Sequence, residues 1–492
     1  MVDTVGPAVH RQWTIVWITP VQLTRTRGIS RNRSYTQCGR KLVGTLVDNA
    51  PGRDDGRPLD RQILALAVPA LGALVAEPLF VLIDSVMVGR LGTAELAGLS
   101  LSSTLLVSVV GVFVFLAYAT TAATARRIGA GDRAGAVTAG IDGMWLALGL
   151  GILAALALGL GAPWVVTALG AQGDVVPHAV DYLRYSAAGL PGMFLVMAAT
   201  GTLRGLLDTR TPLVVATLGA GVNVALNALF IYGLGLGVAG SGLGTAIAQT
   251  LMGLTLCVVV LRGARGLAVS LRPRPAGIWG NARSGVPLFV RTVTLRIAIL
   301  LTVVTATSLG ATALAAHQVV NALWGLAAFA MDALAIAAQA MIGQGLGAGD
   351  RPRVRAVLRR TLQWGVGFGA VIGVLVAAGG WWLTTLFTTD PDVRTAAAVA
   401  LVVTGLAMPM AGWVFVLDGV LIGAGDGTFL AWAGVLTLVV YVPLLAAVWA
   451  WAPPGGPGLA WLWAAFAGGF MAARAVTTGL RARGERWMVL GA

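Results

Sequence analysis

The sequence predicts an all-α integral membrane protein of twelve transmembrane helices. They form two parallel six-helix repeats related by a pseudo-two-fold axis along the membrane normal. Three observations predict this fold class: the composition, the number of apolar runs and an internal repeat. Of the 492 residues, 57% are hydrophobic and 11% are charged, whereas a soluble domain is about 25% charged. Mean hydropathy is +0.83, so a water-soluble protein and a disordered chain are both excluded.

Twelve apolar runs follow residue 60, and each is long enough to cross a bilayer, which takes roughly 20 mostly apolar residues. The predicted spans are 63–89, 97–124, 136–161, 179–202, 212–234, 238–261, 285–309, 312–342, 355–379, 396–422, 429–451 and 456–478. Several spans contain a proline, which removes a backbone hydrogen bond, so we expect kinks there. These prolines are Pro69, Pro191, Pro287, Pro409 and Pro443.

The basic residues are distributed unevenly between the two sides of the membrane. The chain has 34 basic and 20 acidic residues, a net charge of +14. With a cytoplasmic N-terminus, nineteen arginines, among them Arg204, fall on the cytoplasmic side, against Arg90, Arg184 and Arg394 on the other. This bias predicts that both termini lie in the cytoplasm. Because it also accounts for the basic residues, we expect no nucleic acid as a partner.

The two halves of the chain repeat each other at a constant offset of 218 residues. Matched features include Pro69 and Pro287, and the pentapeptide GAGDR at 129–133 and 347–351. Because each half holds an even number of spans, both halves have the same orientation, as in transporters built from parallel repeats. The repeat therefore predicts a transporter that rocks about a site near the middle of the membrane.

These observations divide the chain into five segments. Residues 1–60 are polar and basic, and we expect either a disordered tail or sequence upstream of the native start codon. An N-lobe of six spans follows at 61–261, and a cytoplasmic linker at 262–284 joins it to a C-lobe of six spans at 285–480. A cytoplasmic tail at 481–492 ends the chain.

Charged and polar residues inside the N-lobe spans are candidates for the transport site, because such residues are costly in a membrane and usually functional. Glu77 and Asp84 are seven positions apart in the first span and so share a helical face. They indicate a proton or cation site, because an apolar environment favours a protonated carboxyl group. In the fifth span Asn223 and Asn227 also share a face, where they either join helices or line a polar cavity.

The C-lobe carries a different set of intramembrane charges. Asp332 and Asp418 are either functional or structural partners of arginine, and Arg291 and Arg296 lie in the seventh span. We expect the two arginines to pair with these aspartates, unless Arg291 extends to the cytoplasmic surface. All four are secondary candidates for the site.

No motif of a known enzyme class is present. The chain lacks a Walker A motif, so we expect no ATP-driven transport by this chain. It also lacks GxSxG, HExxH and a paired Cys/His cluster, and it has only three histidines and the two cysteines Cys38 and Cys257. We therefore expect no catalytic residue, no disulfide framework, no metal and no cofactor other than a coupling ion.

Several stretches resemble the multidrug and toxic compound extrusion (MATE) transporters, in particular their DinF-like branch. They include VLIDSVMVGRLG in the first span and FVLDGVLIGAGD in the tenth, with further stretches at 203–213, 223–249 and 315–350. The resemblance covers residues 61–480. It implies two six-helix lobes in a V, around a central cavity that opens alternately to each side. It also implies export of organic, often cationic, compounds in exchange for H⁺ or, alternatively, Na⁺. We therefore expect small organic substrates and membrane lipids as partners, a monomer, and a location in the plasma membrane of a bacterial cell with both termini in the cytoplasm.

The resemblance implies roles for individual residues. The coupling aspartate of the first span falls on Asp84, and the sixth-span threonine falls on Thr245. The family's fifth-span pair of Asn and an acidic residue falls on Asn223 and Asn227. Because the second member is Asn here, one anionic ligand is lost, which favours H⁺ over Na⁺. The C-lobe carboxylates of the NorM-like branch have no evident match, so we place coupling in the N-lobe.

We therefore predict a secondary active antiporter that exports organic compounds by alternating access. Protonation of Asp84 from outside is expected to break its hydrogen bonds to Asn223 and Asn227. The first span, hinged at Pro69 or Pro78, is then expected to bend and expel substrate from the N-lobe cavity.

Three other classes of function compete with the antiporter. The alternative is a flippase for lipid-linked precursors or polysaccharide lipids, which is expected to have a large cavity lined by arginines such as Arg291 and Arg296. A membrane enzyme acting on lipids is disfavoured, because the periplasmic loops are short and almost free of catalytic groups. A passive channel is disfavoured because no ring of like charges is visible.

Overall fold

The computed structural model describes residues 58–267 and 269–491, without the side chains of Glu77 and Arg265. The predicted tail, 1–60, lies outside the described residues except for its last three. Within the described residues the chain is all helical, and eleven helices are long and apolar enough to cross a membrane. A bent pair of helices passes the same test when counted as one span, which gives twelve.

We label the spans α1 to α12 in chain order. They are α1 (Leu59–Val88), α2 (Thr93–Val112 and Phe115–Gly129), α3 (Arg133–Ala168), α4 (Val175–Ala187 and Leu190–Gly205), α5 (Arg210–Asn227, with a π-helical end at Ala228–Gly233), α6 (Gly237–Gly266), α7 (Pro275–Ser308), α8 (Ala311–Gly347), α9 (Arg351–Leu383), α10 (Pro391–Gly423), α11 (Gly427–Trp451) and α12 (Gly456–Trp463, a π-helical stretch at Ala464–Phe470, and Met471–Arg483). Together α1 to α6 form the N-lobe, and α7 to α12 form the C-lobe.

The prolines inside the spans differ in their effect. Pro191 lies at the break in α4, where the two helical segments meet at 46°. Pro69 and Pro78, the two predicted hinge positions, lie inside α1, which is helical throughout its 30 residues. Pro287 and Pro409 likewise lie inside unbroken helices.

The linker between the lobes is shorter than the predicted 262–284. Helix α6 continues to Gly266 and α7 begins at Pro275. Hydropathy marks only the part of a helix inside the hydrocarbon, whereas the helix can continue through the headgroup region. Just before α7, Arg274 pairs with Asp142 of α3, with 2.5 Å between Nη2 and Oδ2, and so ties the short linker to the N-lobe.

The repeated GAGDR pentapeptide forms the same turn in both lobes. Its second glycine adopts a positive φ, +81° at Gly131 and +73° at Gly349, which favours glycine. The aspartate that follows caps the next helix. Asp132 accepts from the backbone N–H of Gly135 at 2.7 Å, and Asp350 accepts from that of Arg353 at 3.0 Å.

The lobes pack closely at one end, which we call the arginine-rich end. It holds the start of α1, the loops after α2, α4, α6, α8 and α10, and the C-terminal segment 484–491. An ideal Cβ on Gly129 of α2 would lie 2.0 Å from the carbonyl oxygen of Gln344 of α8. One on Gly347 would lie 1.9 Å from the carbonyl oxygen of Arg126. The glycines therefore allow α2 and α8 to approach backbone to backbone.

The hydrophobic cores of the lobes separate toward the opposite end. One buried cluster contains residues of both lobes; its C-lobe members lie at the arginine-rich end, where it also includes Trp487 and Met488 of the C-terminal segment, while its N-lobe members extend along the whole lobe. Among the described residues, a second cluster contains only C-lobe side chains, such as Tyr441 and Trp463. A third, smaller cluster around Tyr182 contains only N-lobe side chains. The lobes thus meet at one end and have separate cores at the other.

Candidate functional site

The carboxyl group of Asp84 lies at the centre of a buried polar network in the N-lobe. Asp84 is in the last turns of α1 and its residue is 3% exposed. Its Oδ1 accepts from Nδ2 of Asn227 at 2.9 Å and from Oγ of Ser241 at 2.5 Å. Its Oδ2 accepts from the hydroxyl of Tyr182 at 3.3 Å. Four helices, α1, α4, α5 and α6, therefore converge on one carboxyl group.

The predicted residues Asn223 and Thr245 join this network one step away from Asp84. Nδ2 of Asn227 also donates to Oδ1 of Asn223 at 3.2 Å. Nδ2 of Asn223 lies 3.4 Å from Oγ1 of Thr245 and 3.5 Å from Oδ1 of Asn227. The sequence-based hypothesis placed both asparagines on Asp84. The structure gives Asp84 a direct bond to Asn227 only, and Asn223 reaches it through Asn227.

Ser241 and Tyr182 were missed by the sequence analysis. A hydroxyl group in a membrane helix often bonds to a carbonyl of its own helix, as Thr302 does with Ala298. Composition does not distinguish such a hydroxyl from one that faces another helix. For Ser241, the small residues around it in GVAGSGLGT offered a weak signal, because small residues allow close packing of membrane helices.

The local sequence makes room for the network. An ideal Cβ on Gly244 of α6 would lie 2.0 Å from Oδ1 of Asn227, so only glycine fits beside this amide. Directly after Asn227, α5 changes from α- to π-helix at Ala228. Such changes are frequent at functional sites.

The donors around Asp84 are all uncharged. Among the described residues, no arginine, lysine or histidine lies within ion-pair distance of it. Three neutral donors suit an ionised carboxylate, which only accepts hydrogen bonds. Protonation turns one of its oxygens into a donor, so the same network must then rearrange. This arrangement can therefore respond to the arrival of a single proton.

A cavity of about 220 Å³ lies next to this network inside the N-lobe. Tyr182 and Thr245 belong both to the network and to the cavity wall. The wall is mostly apolar and includes the thioethers of Met193, Met197 and Met252, which adapt to ligands of different shape. On α1 the wall includes Phe80 and Val81, one turn before Asp84.

Arg204 also lines this cavity, which corrects its assignment to a cytoplasmic loop. It lies inside α4, one residue before the helix ends, and is 9% exposed. The hydropathy pattern places it at the edge of a span. In the structure it lies on the face of α4 that lines the cavity, as does Thr200 one turn earlier.

In the C-lobe, Asp418 is held by two arginines. Nη2 of Arg291 lies 2.6 Å from Oδ2 of Asp418, and Nη2 of Arg474 donates to the same oxygen. Arg291 thus has the aspartate partner that was one of its predicted options. Asp332 forms no ion pair within 4 Å among the described residues, although Arg291 and Arg474 act on it electrostatically.

The other two predicted candidates are placed as follows. Arg296 is exposed on α7, and its guanidinium lies against Gly111 of α2, where an ideal Cβ would be 2.0 Å from Nη2. The side chain of Glu77 lies outside the described residues. Among those described, no group of three or more His, Cys, Asp or Glu residues could hold a metal ion.

Comparison with known proteins gives the family. A sequence model of the MatE family matches residues 69–229 and again 287–447. The chain belongs to the MATE family. The two matches begin 218 residues apart (287 minus 69), which is the offset of the internal repeat, so each MATE repeat corresponds to one predicted lobe. MATE proteins are multidrug efflux transporters rather than enzymes.

Relatives in the MATE family come from bacteria and plants. Probable multidrug resistance protein NorM of Pseudomonas aeruginosa is 33% identical over 444 residues, 84% of this chain and 87% of the relative. Protein DETOXIFICATION 44, chloroplastic, of Arabidopsis thaliana is 31% identical over 402 residues, 79% of this chain and 76% of the relative. DNA damage-inducible protein F of Escherichia coli is 27% identical over 383 residues, 75% of this chain and 82% of the relative.

Solved MATE structures have the same fold. A structure described as MATE in the bent conformation superposes with a TM-score of 0.80 at 22% identity, covering 90% of this chain and 97% of the other. An outward-facing conformation of a multidrug resistance MATE transporter gives 0.77 at 21% identity, covering 90% and 98%. The predicted all-α fold of two six-helix lobes is therefore confirmed.

Proposed function

We propose that this chain is a secondary active antiporter that exports organic compounds in exchange for H⁺, with Asp84 as the coupling residue. The observation that carries the proposal is the position of Asp84. Its buried carboxyl group is bonded only to neutral donors, and two residues of its network, Tyr182 and Thr245, line the N-lobe cavity. A proton bound at Asp84 and a cargo in the cavity therefore share one set of side chains.

H⁺ is favoured over Na⁺ by the composition of the network. The position that corresponds to the family's acidic residue is occupied by the neutral Asn227. This side chain directs its Nδ2 rather than an oxygen toward Asp84. A sodium ion would thus meet one formal negative charge and an N–H group. Oxygen ligands are what such hard cations require, whereas a proton needs only the carboxylate itself.

We further propose that the arginine-rich end lies in the cytoplasm of a bacterial cell. Basic loop residues accumulate on the cytoplasmic side of membrane proteins, and the loops at this end carry most of the arginines. The lobes meet at this end and have separate cores at the other. With this orientation, the structure is closed to the cytoplasm and faces outward.

The flippase alternative depended on arginines lining a central cavity. Arg291 is instead bound to Asp418 and only 12% of its side chain is exposed, so it presents little free charge to such a cavity. Arg296 is the remaining candidate of that pair. The antiporter is the function that the site supports better.

Efflux from proteoliposomes tests the proposal. Wild type, Asp84→Asn and the control Asp174→Asn, whose aspartate is exposed in the loop before α4, are loaded with a fluorescent organic cation. We expect an imposed pH gradient to drive efflux without Na⁺ in wild type and control, and to have no effect in Asp84→Asn. Proton-driven efflux by Asp84→Asn, or a requirement for Na⁺, would contradict the proposal. No efflux under either gradient would favour the flippase, which a lipid-translocation assay then tests.

A further inference from the structure

A groove of about 700 Å³ follows α9 on the surface of the C-lobe. One wall is a single face of α9 from Arg355 to Gly367, and the other includes Trp413 of α10. The lining residues of α9 recur every three or four positions, so they form a continuous stripe along the helix. An ideal Cβ on Gly367 meets no atom within 4 Å, so the groove is open there.

The character of this stripe changes along its length. Its first turns, at the arginine-rich end, carry Arg355 and Arg359, whereas its later turns carry Leu362, Val366 and Gly367. The stripe covers 12 positions (367 minus 355). At 1.5 Å per residue it is about 18 Å long, compared with about 15 Å for the hydrocarbon of one leaflet. The groove therefore runs from the depth of the lipid head groups into the hydrocarbon.

The start of α9 concentrates positive charge where a helix does not favour it. Residues 351–360, RPRVRAVLRR, contain five arginines and no acidic residue. The N-terminus of a helix favours negative rather than positive charge. Arg355 and Arg359 are four positions apart, and like charges at that spacing on a helix repel each other. A bound anion would therefore stabilise this part of α9.

Carboxylate groups of the described residues neutralise only part of this charge. Glu485 of the C-terminal segment pairs with Arg355, and Asp60 at the start of α1 binds Arg360, with 2.5 Å between Oδ1 and Nε. Because Glu485 and Arg355 are both exposed, their pair contributes little, and Arg355 can also turn toward another anion. Arg359 is exposed and forms no hydrogen bond or ion pair with any described residue. It is the cation available at the basic end of the groove.

A second groove on the surface of the C-lobe lacks such charges. It has a volume of about 470 Å³, lies between α11 and α12, and is lined by Trp451, Trp461 and smaller apolar residues. Its wall contains no charged side chain, so it offers nothing that distinguishes one lipid head group from another. The groove along α9 differs from it by the two arginines at one end.

We infer that the groove along α9 binds a phospholipid with an anionic head group. The phosphate pairs with Arg359 and Arg355, because guanidinium forms bidentate hydrogen bonds with phosphate groups. One acyl chain lies along Leu362 and over Gly367, against Trp413. Basic pockets between membrane helices bind anionic head groups in this way. This site holds a membrane lipid and not the cargo, so the inference does not depend on the proposed function.

Native mass spectrometry of the delipidated full-length protein tests the inference. Phosphatidylglycerol, which is anionic, and phosphatidylcholine, which has no net charge, are titrated with identical acyl chains. An arginine near the membrane surface strengthens the binding of anionic lipid about fivefold, so we expect wild type to prefer phosphatidylglycerol at least by this factor. Equal affinities would overturn the inference. Displacement of the lipid by inorganic phosphate at equal concentration would also overturn it, because the acyl chains would then contribute nothing.

Two variants with matched controls locate the site. We expect Arg359→Gln to weaken phosphatidylglycerol binding about fivefold and to leave phosphatidylcholine binding unchanged. Its control is Arg283→Gln, an exposed arginine of α7 outside the groove. Gly367→Leu fills the groove and should weaken binding of the first phosphatidylglycerol, unlike Gly149→Leu on α3, where an added Cβ also meets no atom within 4 Å. Wild-type affinity in either groove variant, or equal losses in the controls, would overturn the inference.

Two further measurements exclude a loss of folding and other occupants. Without added lipid, both groove variants should melt at the wild-type temperature, because both positions are exposed. Phosphatidylglycerol should raise the melting temperature of wild type more than that of Arg359→Gln. A photoreactive amino acid in place of Leu362, activated in native membranes, should form an adduct with the mass of a phospholipid. An adduct with residues 1–57 or with a second copy of the chain would overturn the inference.

Discussion

Arg126 joins the lobes at the arginine-rich end through three backbone carbonyl groups. It lies in the last turn of α2, and its Nη1 donates to the carbonyl oxygen of Ala424, at the end of α10, at 3.0 Å. Its Nε lies 3.3 Å from the carbonyl oxygen of Gly491, and Nη2 donates to that of Val489. We predict that Arg126→Met, which keeps most of the side-chain length, shifts the transporter toward the state that is open at this end.

The size of the shift follows from the exposure of the three acceptors. A hydrogen bond from a charged group contributes about 1.5–3 kcal/mol. Val489 is 62% exposed, so water replaces the lost donor there, and Gly491 is also partly accessible. Ala424 is 4% exposed, so its carbonyl group loses a partner that water does not readily replace. Counting one bond gives about 1.5–3 kcal/mol, or roughly a 10- to 150-fold change in the ratio of closed to open molecules.

Spin-label distances measure this change. The two native cysteines are first replaced, and spin labels are attached at Ala130→Cys and Ala356→Cys. Both positions are exposed at the arginine-rich end, so the distance between the labels reports the separation of the lobes. In nanodiscs we expect Arg126→Met to increase the fraction of long distances at least tenfold. The control is Arg127→Met, the neighbouring arginine. If both variants have the same distance distribution, Arg126 does not hold the lobes together and the reasoning fails.

Two further substitutions test the site and the C-lobe. Gly244→Ala would place a methyl group 2.0 Å from Oδ1 of Asn227, so we expect at least tenfold slower proton-driven efflux. Gly221→Ala, which meets no atom within 4 Å, should stay within twofold of wild type. Asp418→Asn leaves two buried guanidinium groups without their carboxylate. We therefore expect the free energy of unfolding, measured by denaturation, to fall by about 3–5 kcal/mol. The control Asp392→Asn, at an exposed position, should lower the free energy of unfolding by less than about 1 kcal/mol. An equal loss in both variants would contradict the structural role of Asp418.

The number of spans and the repeat could be predicted from sequence because the membrane imposes them. A helix that crosses hydrocarbon must be apolar over its whole length, and that pattern is visible residue by residue. Asp84 and Asn227 were predicted as partners because the resemblance to MATE proteins places both in one pocket; the span pattern alone marked them only as costly polar residues. Ser241 and Tyr182 could not, because their participation depends on how α4 and α6 are rotated about their own axes.

Arg204 shows where counting loop charges fails. The positive-inside rule depends on the number of arginines near span ends, and one arginine that turns inward does not change such a count. Arg204 lies in the second segment of α4, which begins at Leu190 after the break near Pro191. The bend angle of 46° is a tertiary property, and a proline in a sequence does not specify it.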